Sequence, residues 1–116
     1  MQTVSHPPDE FACEVRPDRG SVVVRLAGEL DLRVAGDVAA VVEELPDAGF
    51  PRVVVDLRAL SFLDSSGVHA LMAARRSAER RRHTVSLVRG PQNVQRVLAL
   101  TGTVSLFTYV AAEGDR

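Results

Sequence analysis

Hydrophobic and polar positions follow one another along this chain in patterns that predict its strands. Residues 11–16 alternate between apolar and polar side chains, and residues 21–27 (SVVVRLA) are rich in β-branched residues, as is typical of strands. The intervening Pro17-Asp18-Arg19-Gly20 is a strong turn signal, so the two segments predict an antiparallel hairpin. The continuous apolar run RVVVDL predicts a strand buried on both faces, and two further runs predict two more strands. These three strands cover residues 52–57, 84–88 and 104–110.

Between the later strands the apolar spacing changes to that of helices. Apolar residues at positions 34, 38, 41, 42 and 45 fall at helical intervals, and Pro46 and Gly49 end this first helix. A second helix is predicted over 67–82, and a third opens at Pro91 and ends at Gly102. The order ββαβαβαβ predicts an α/β fold. Its mixed β-sheet has an N-terminal antiparallel hairpin followed by alternating helices and strands, with parallel neighbours.

The composition is that of one globular domain. The chain has 116 residues, of which 46% are hydrophobic and 25% are charged, values that suit a single packed core. We expect the domain to span 11–112, after a flexible leader over 1–10 and before a short tail over 113–116. The single cysteine, Cys13, excludes an internal disulfide and a cysteine-built metal site. Its place in an alternating segment indicates a packed thiol rather than a reactive one.

Charge and hydropathy argue against several classes of partner. The net charge of −1 gives no support to a nucleic-acid-binding domain. The arginine-rich run 75–82 lacks interleaved aromatic residues, so a solvated helix face explains it better. No apolar run approaches the ~20 residues of a membrane span, and no signal peptide is visible. We therefore expect a cytoplasmic protein without direct nucleic-acid or membrane contact.

Four residues, Asp64-Ser65-Ser66-Gly67, stand where the buried strand and its turn lead into the second helix. Asp64 is suited to cap this helix by accepting a hydrogen bond from a first-turn amide. Unpaired amides and the helix dipole also favour an anion at this end. A phosphoserine, with roughly −1.5 to −2 charges, would therefore be tolerated there. A cap alone does not explain the second serine and the glycine.

Two other roles fit the same stretch poorly, namely the nucleophile of a serine hydrolase and a glycine-rich loop that binds a phosphate. The nucleophile elbow G-x-S-x-G of serine hydrolases is absent, and no histidine is placed to act as the base. His6 is in the leader, His83 follows the second helix at its far end, and nothing directs His69 toward Ser65. Neither glycine-rich phosphate-binding motif occurs, and one of them needs a lysine, which the chain lacks.

Two motifs in the right order carry a resemblance to a known family. Gly28-Glu29-Leu30-Asp31 ends the second strand of the hairpin, and the stretch SFLDSSG at 61–67 follows the next strand. Together they resemble the STAS-domain anti-sigma factor antagonists of bacteria. The likeness continues through PQNVQRVL at 91–98 and the Leu-Thr-Gly at 100–102, so it covers about Phe11 to Val110.

The resemblance implies a binding module rather than an enzyme, with no cofactor, metal ligand or catalytic residue. In this family the serine after the aspartate is phosphorylated, which corresponds to Ser65. The kinase is the anti-sigma factor, a serine kinase with a histidine-kinase-like ATP fold. The unphosphorylated antagonist captures it and frees the sigma factor, and a serine phosphatase restores the active form. Asp31 matches an aspartate near the phosphorylated serine.

Position in the fold adds expectations about the partner-binding surface. Because both motifs follow strands whose carboxyl ends share one sheet edge, Asp31 should lie close to Ser65. Gly67, without a Cβ, suits close approach of a docked partner. His69 stands where the family often has a small residue. The alternative function is that of a STAS scaffold or sensor module in another bacterial signalling assembly. The expected partner-binding residues are Gly28, Glu29, Asp31, Asp64, Ser65, Ser66, Gly67 and His69.

Overall fold

The fold is built on one six-stranded sheet whose strands lie in chain order. The structure is a computed structural model that describes residues 2–6 and 11–112. The first three strands pair antiparallel and the last three join them in parallel, which confirms the predicted mixed sheet. The strands are β1 (Gln2–His6), β2 (Phe11–Asp18), β3 (Ser21–Leu30), β4 (Arg52–Leu63), β5 (Thr84–Val88) and β6 (Thr108–Tyr109).

Three α-helices connect the parallel strands. They are α1 (Leu32–Glu44), α2 (Ser65–Arg80) and α3 (Gln92–Leu100), with short 3₁₀ turns at Pro46–Ala48 and Val104–Leu106. Helices α1 and α2 pack against each other, and α3 packs against β4. In the described part of the chain, no helix combines the length and the apolar character that crossing a membrane requires.

The β2–β3 hairpin closes with a two-residue turn at Arg19 and Gly20. Both residues have positive φ, 48° and 85°, as a type I′ turn requires, and the strands pair up to Asp18 and Ser21. The Ser21 hydroxyl donates to the Asp18 carbonyl at 2.8 Å. The predicted turn is thus confirmed, although the strand continues through Pro17 instead of ending before it.

The core is a single cluster of aliphatic side chains with a few aromatics. The alternation predicted for β2 is confirmed, because Phe11, Cys13 and Val15 are buried. The predicted stripe of α1 is also buried, and α2 contributes its own apolar face. Fully buried positions of the core include Val22, Val24, Leu26, Leu30, Val34, Val38, Val42, Leu57, Leu60, Leu71, Leu87 and Leu98.

Several predicted boundaries differ from the structure. The leader contains a strand, because Gln2–His6 pairs with β2 from Val15 to Phe11 and covers its outer edge. The predicted strand over 52–57 runs on to Leu63, since after an irregularity it pairs again with β3. The last strand was predicted over 104–110, but only Thr108–Tyr109 pairs with β5. Helix α2 starts and ends two residues earlier than predicted. The tail over 113–116 and leader residues 7–10 lie outside the described residues.

The buried thiol of Cys13 predicts how stability changes at alkaline pH. Burial raises the pKa of Cys13 from 9.0 to about 11, because a thiolate in the core would lose its hydration. The folded-state pKa exceeds the unfolded one, so this contribution to stability is intact below pH 9.0 and is lost as the pH rises toward about 11. We expect the free energy of unfolding to fall by up to about 2–3 kcal/mol over this range.

Urea denaturation of the reduced protein across this pH range tests the prediction. The control is Cys13→Val, which fills the same site without a titrating group and should give a flatter profile. Equal pH dependence in the two proteins would show that the thiol does not control alkaline stability.

Candidate functional site

The carboxyl ends of β3 and β4 bring the two sequence motifs to one edge of the sheet. These strands are parallel neighbours, and their last residues, Leu30 and Leu63, are paired. The Asp64 amide donates to the Leu30 carbonyl at 3.3 Å, which ties the start of the second turn to the end of β3. Asp31 and Asp64 each follow their strand directly and precede a helix. The structure therefore places the two motifs side by side, as the order of elements predicted.

Asp64 caps α2, as predicted. Its backbone is extended, with φ −113° and ψ −176°, and its carboxylate accepts a hydrogen bond from the Gly67 amide at 3.1 Å. Its backbone carbonyl accepts from the Val68 amide at 3.1 Å. One orphan amide of the first turn is thereby satisfied by a side chain that stays partly exposed.

Asp31 caps α1 in the same way, which the sequence analysis did not predict. Its carboxylate accepts from the Arg33 amide at 3.0 Å and from the Arg33 guanidinium, where Nη2 lies 2.9 Å from Oδ2. This side-chain hydrogen bond is the main reason why the pKa of Asp31 is lowered from its ordinary 3.8. The Arg33 Nη2 atom also lies 3.5 Å from Oε1 of Glu29, which is in the last part of β3. Arg33 is therefore a member of the site that the family motif does not name.

Ser65 is the first residue of α2 and is exposed. Among the described residues, its hydroxyl has no hydrogen-bond partner, and Ser66 beside it is half-buried. No base contacts this hydroxyl in the described part of the structure, so the geometry gives the hydrolase alternative no support. A modifying enzyme could reach Ser65 without displacing a hydrogen bond to any of the described residues.

The structure gives Gly67 a different role from the one predicted. Gly67 is buried, so it lies beneath the surface that a partner would contact. A Cβ built there would lie 2.5 Å from Leu63 Cδ1, 2.8 Å from Leu30 Cγ and 2.9 Å from the Leu30 carbonyl oxygen. The missing side chain therefore lets α2 approach the ends of β3 and β4.

Gly28 and Glu29 lie at an irregular end of β3. Gly28 has a φ of 93°, which favours glycine, and the pairing with β4 shifts register between Gly28 and Glu29. After this shift, Glu29 pairs with Phe62, and both side chains are exposed. The irregularity turns the end of β3 so that the acidic Glu29 lies at the surface beside the motif.

A shallow apolar groove between α1 and α2 adjoins Ser65. One of its members, Leu32, has 77% of its surface accessible, and His69 is also exposed. The groove measures about 450 Å³ and is lined by Leu32, Ala35, Gly36, Ala39, Ser66, His69 and Ala70. Apart from Ser66 and His69, these lining residues were not predicted from the sequence. The sequence does contain one indication of the groove. Leu32 is a large apolar residue outside the helical spacing of 34, 38, 41, 42 and 45, so it is not expected to point into the core.

No metal centre is visible in this region. Within the described ranges, no group of three or more His, Cys, Asp or Glu side chains is arranged to hold a metal ion. What the edge presents is an exposed hydroxyl, two capping carboxylates and an apolar groove. An exposed apolar patch bordered by polar groups is typical of surfaces that bind other proteins.

The mixed sheet and the order of its helices match the fold of the STAS class of α/β domains. The family model described as "Mlab, STAS domain" matches residues 13–107. The chain belongs to the STAS domain family, as the two motifs predicted.

Solved structures share the fold over most of the chain. An anti-sigma factor antagonist from Mycobacterium paratuberculosis is 26% identical, with a TM-score of 0.77, covering 97% of this chain and 94% of that one. The unphosphorylated anti-sigma factor antagonist SpoIIAA is 24% identical, with a TM-score of 0.74 and coverage of 89% and 90%. Phosphorylated SpoIIAA of Bacillus is 23% identical, with a TM-score of 0.68 and coverage of 89% and 93%. Curated proteins gave no significant match.

The close packing of Gly67 predicts opposite effects of alanine at two helical glycines. Gly67→Ala forces a Cβ against Leu63, Leu30 and a backbone oxygen, so we expect a loss of about 1–3 kcal/mol in the free energy of unfolding. Gly36 in α1 has nothing within 4 Å of a Cβ, so Gly36→Ala should stabilise by about 0.5–1 kcal/mol.

Chemical denaturation of the two variants beside the wild type measures both effects. A Gly67→Ala protein as stable as Gly36→Ala would mean that α2 does not need its close approach to the strand ends.

Proposed function

We propose that this protein is an anti-sigma factor antagonist controlled by phosphorylation of Ser65. In its unphosphorylated form it binds an anti-sigma factor that is also a serine kinase, and it thereby releases the sigma factor. The observation that carries the proposal is the exposed Ser65 hydroxyl at the start of α2, directly after the capping Asp64 and at the same sheet edge as Asp31. Family membership supports it, as does the antagonist from Mycobacterium paratuberculosis.

Charge at this edge supplies the physical basis of the switch. Glu29, Asp31 and Asp64 are acidic, and the one cation among them, Arg33, already contacts Asp31 and Glu29. Phosphorylation would add roughly −1.5 to −2 charges at Ser65. Such added charge should lower the affinity of an interface that loses water on docking, because like-charge contacts cost several kcal/mol there. The phosphorylated form should therefore release the kinase, and a serine phosphatase would restore binding.

The groove and Leu32 supply the apolar part of the proposed partner surface. An isolated leucine with 77% of its surface exposed is available for burial by a partner, and it directly follows Asp31. Gly67 supports this surface from beneath. The proposed contact residues are Gly28, Glu29, Asp31, Leu32, Asp64, Ser65, Ser66 and His69.

The alternative is a STAS scaffold or sensor module in another bacterial signalling assembly. The observation that favours it is the matching family model, whose description names a STAS domain and no sigma-factor pathway. Recovery of the bound partner from a native lysate separates the two functions. An antagonist should capture a partner that transfers phosphate from ATP to Ser65, whereas a scaffold should capture one that does not.

The first functional prediction concerns negative charge at Ser65. Ser65→Asp should bind the partner kinase at least about tenfold more weakly than wild type, since ~1.4 kcal/mol of repulsion suffices. Its melting temperature should hold or rise slightly, because the start of a helix accepts an acid. Calorimetric titration and a melting curve measure the two quantities.

Two variants control the test at Ser65. Ser65→Ala should keep its affinity and accept no phosphate, as judged by mass spectrometry after incubation with kinase and ATP. Ser105→Asp adds the same charge at another exposed serine, in the 3₁₀ turn Val104–Leu106, and should bind like wild type. Equal affinity of all four proteins would refute charge at Ser65 as the switch.

The second functional prediction concerns Leu32. Leu32→Ala should weaken kinase binding by about 1–2 kcal/mol, roughly five- to thirty-fold, because a buried leucine side chain contributes about 1.5–3 kcal/mol. Stability should change by less than about 0.5 kcal/mol, as usual for exposed positions. The matched control is Leu100→Ala, since Leu100 is 80% exposed on α3, and this variant should bind normally. Equal losses of kinase affinity in Leu32→Ala and Leu100→Ala would show that the docking surface is not centred on Leu32.

A further inference from the structure

His69 stands one helical turn after Ser65 on the same exposed side of α2. Both residues belong to the helix Ser65–Arg80, and both are exposed. Side chains four residues apart on a helix are neighbours, and helical side chains lean toward the N-terminus. The His69 imidazole is therefore directed back over the first turn of α2. Its place in the groove beside Ser66 agrees with this direction, which was not predicted from the sequence.

Of the two basic side chains near this turn in the described part of the chain, Arg33 is already paired with acidic groups, whereas His69 is not. Arg33 is held by Asp31 at 2.9 Å and lies 3.5 Å from Glu29. The α1 residues that line the groove are uncharged. Within the described residues, His69 makes no hydrogen bond or ion pair. The charged groups of the two strand-to-helix turns and of the first two turns of α1 are Glu29, Asp31, Arg33, Asp37 and Asp64, and the other two of α1, Glu43 and Glu44, lie at its far end.

We propose that His69 is a positioning residue that binds the phosphate of phosphorylated Ser65 through its imidazolium. The inference rests on the proposed function, in which Ser65 carries the phosphate. The phosphate dianion and the imidazolium would form an ion pair at helical (i, i+4) spacing. This pair would hold the added charge over the groove beside Leu32, where the partner is proposed to dock.

The ion pair has a consequence for protonation. The second ionisation of a phosphoserine falls near pH 6, and histidine changes charge in the same region. A neighbouring cation favours the dianion, so the midpoint of phosphate ionisation should move to lower pH when His69 is present. The phosphate should thus carry more charge near neutral pH than it would beside a neutral side chain.

Phosphoserine incorporated at position 65 during translation allows a test that needs no kinase. A ³¹P NMR titration should give a midpoint about 0.3 of a pH unit lower in the wild-type background than in His69→Gln, the size expected for an exposed ion pair one turn apart. The matched control is His83→Gln, because His83 lies beyond the other end of α2, roughly 25 Å away. In this variant the phosphate at position 65 should have the same ionisation midpoint as in the wild-type background.

A second measurement separates the ion pair from a merely structural role. The ring ¹⁵N resonances of His69 should move when position 65 carries phosphoserine instead of serine, while those of His83 stay in place. Equal phosphate midpoints in the wild-type and His69→Gln backgrounds, with both proteins folded, would overturn the proposal. Failure of the kinase to phosphorylate Ser65 would instead remove the proposed function and leave this measurement unaffected.

Discussion

The parallel pairing of β3 with β4 up to their last residues is the constraint on which the site depends. Leu30 pairs with Leu63, and the Leu30 carbonyl also accepts the Asp64 amide at 3.3 Å. The same carbonyl oxygen would lie 2.9 Å from a Cβ on Gly67, so it limits how α2 can start. Because both strands end at one level, both aspartate turns and both helix starts share one surface. A shift of one residue in this pairing would displace the Asp31 turn relative to the Ser65 turn, and it would turn the buried side chains of the shifted strand to the opposite face of the sheet.

The two capping aspartates perform the same backbone role in different electrostatic settings. Asp31 is neutralised by the Arg33 guanidinium, which also lowers its pKa. The Asp64 carboxylate accepts a hydrogen bond from the Gly67 amide, and it forms no ion pair with any of the described residues. Charge added next to Asp64 therefore meets a carboxylate without a fixed counterion. Under the proposed function, phosphorylation of Ser65 would therefore add its charge at the start of α2, where the proposed ion pair with His69 would form.

The sequence predicts those features that follow from periodicity and local chemistry. The alternation of β2, the short strand Thr84–Val88, the Asp64 cap and the shared edge of the two motifs all correspond to the structure. Features that depend on several chain segments at once were missed. The extension of β4 to Leu63 requires pairing with β3 after an irregularity, and β1 is defined by backbone pairing with β2. The role of Gly67 requires knowing that Leu30 and Leu63 meet beneath it.

The hydrogen bonding of the site indicates what kind of switch it can be. Both helix starts are capped by aspartates, and the Ser65 hydroxyl takes part in neither cap. A phosphate on that hydroxyl would break no hydrogen bond among the described residues, and the positive end of the α2 dipole favours the added charge. Gly67, packed under the turn, leaves no space for the helix start to shift inward. Among the described residues, the fold therefore offers such a phosphate no internal contact to disrupt. Under the proposed function, the effect of the phosphate would arise at the surface, through the charge and the groove that a docking partner would contact.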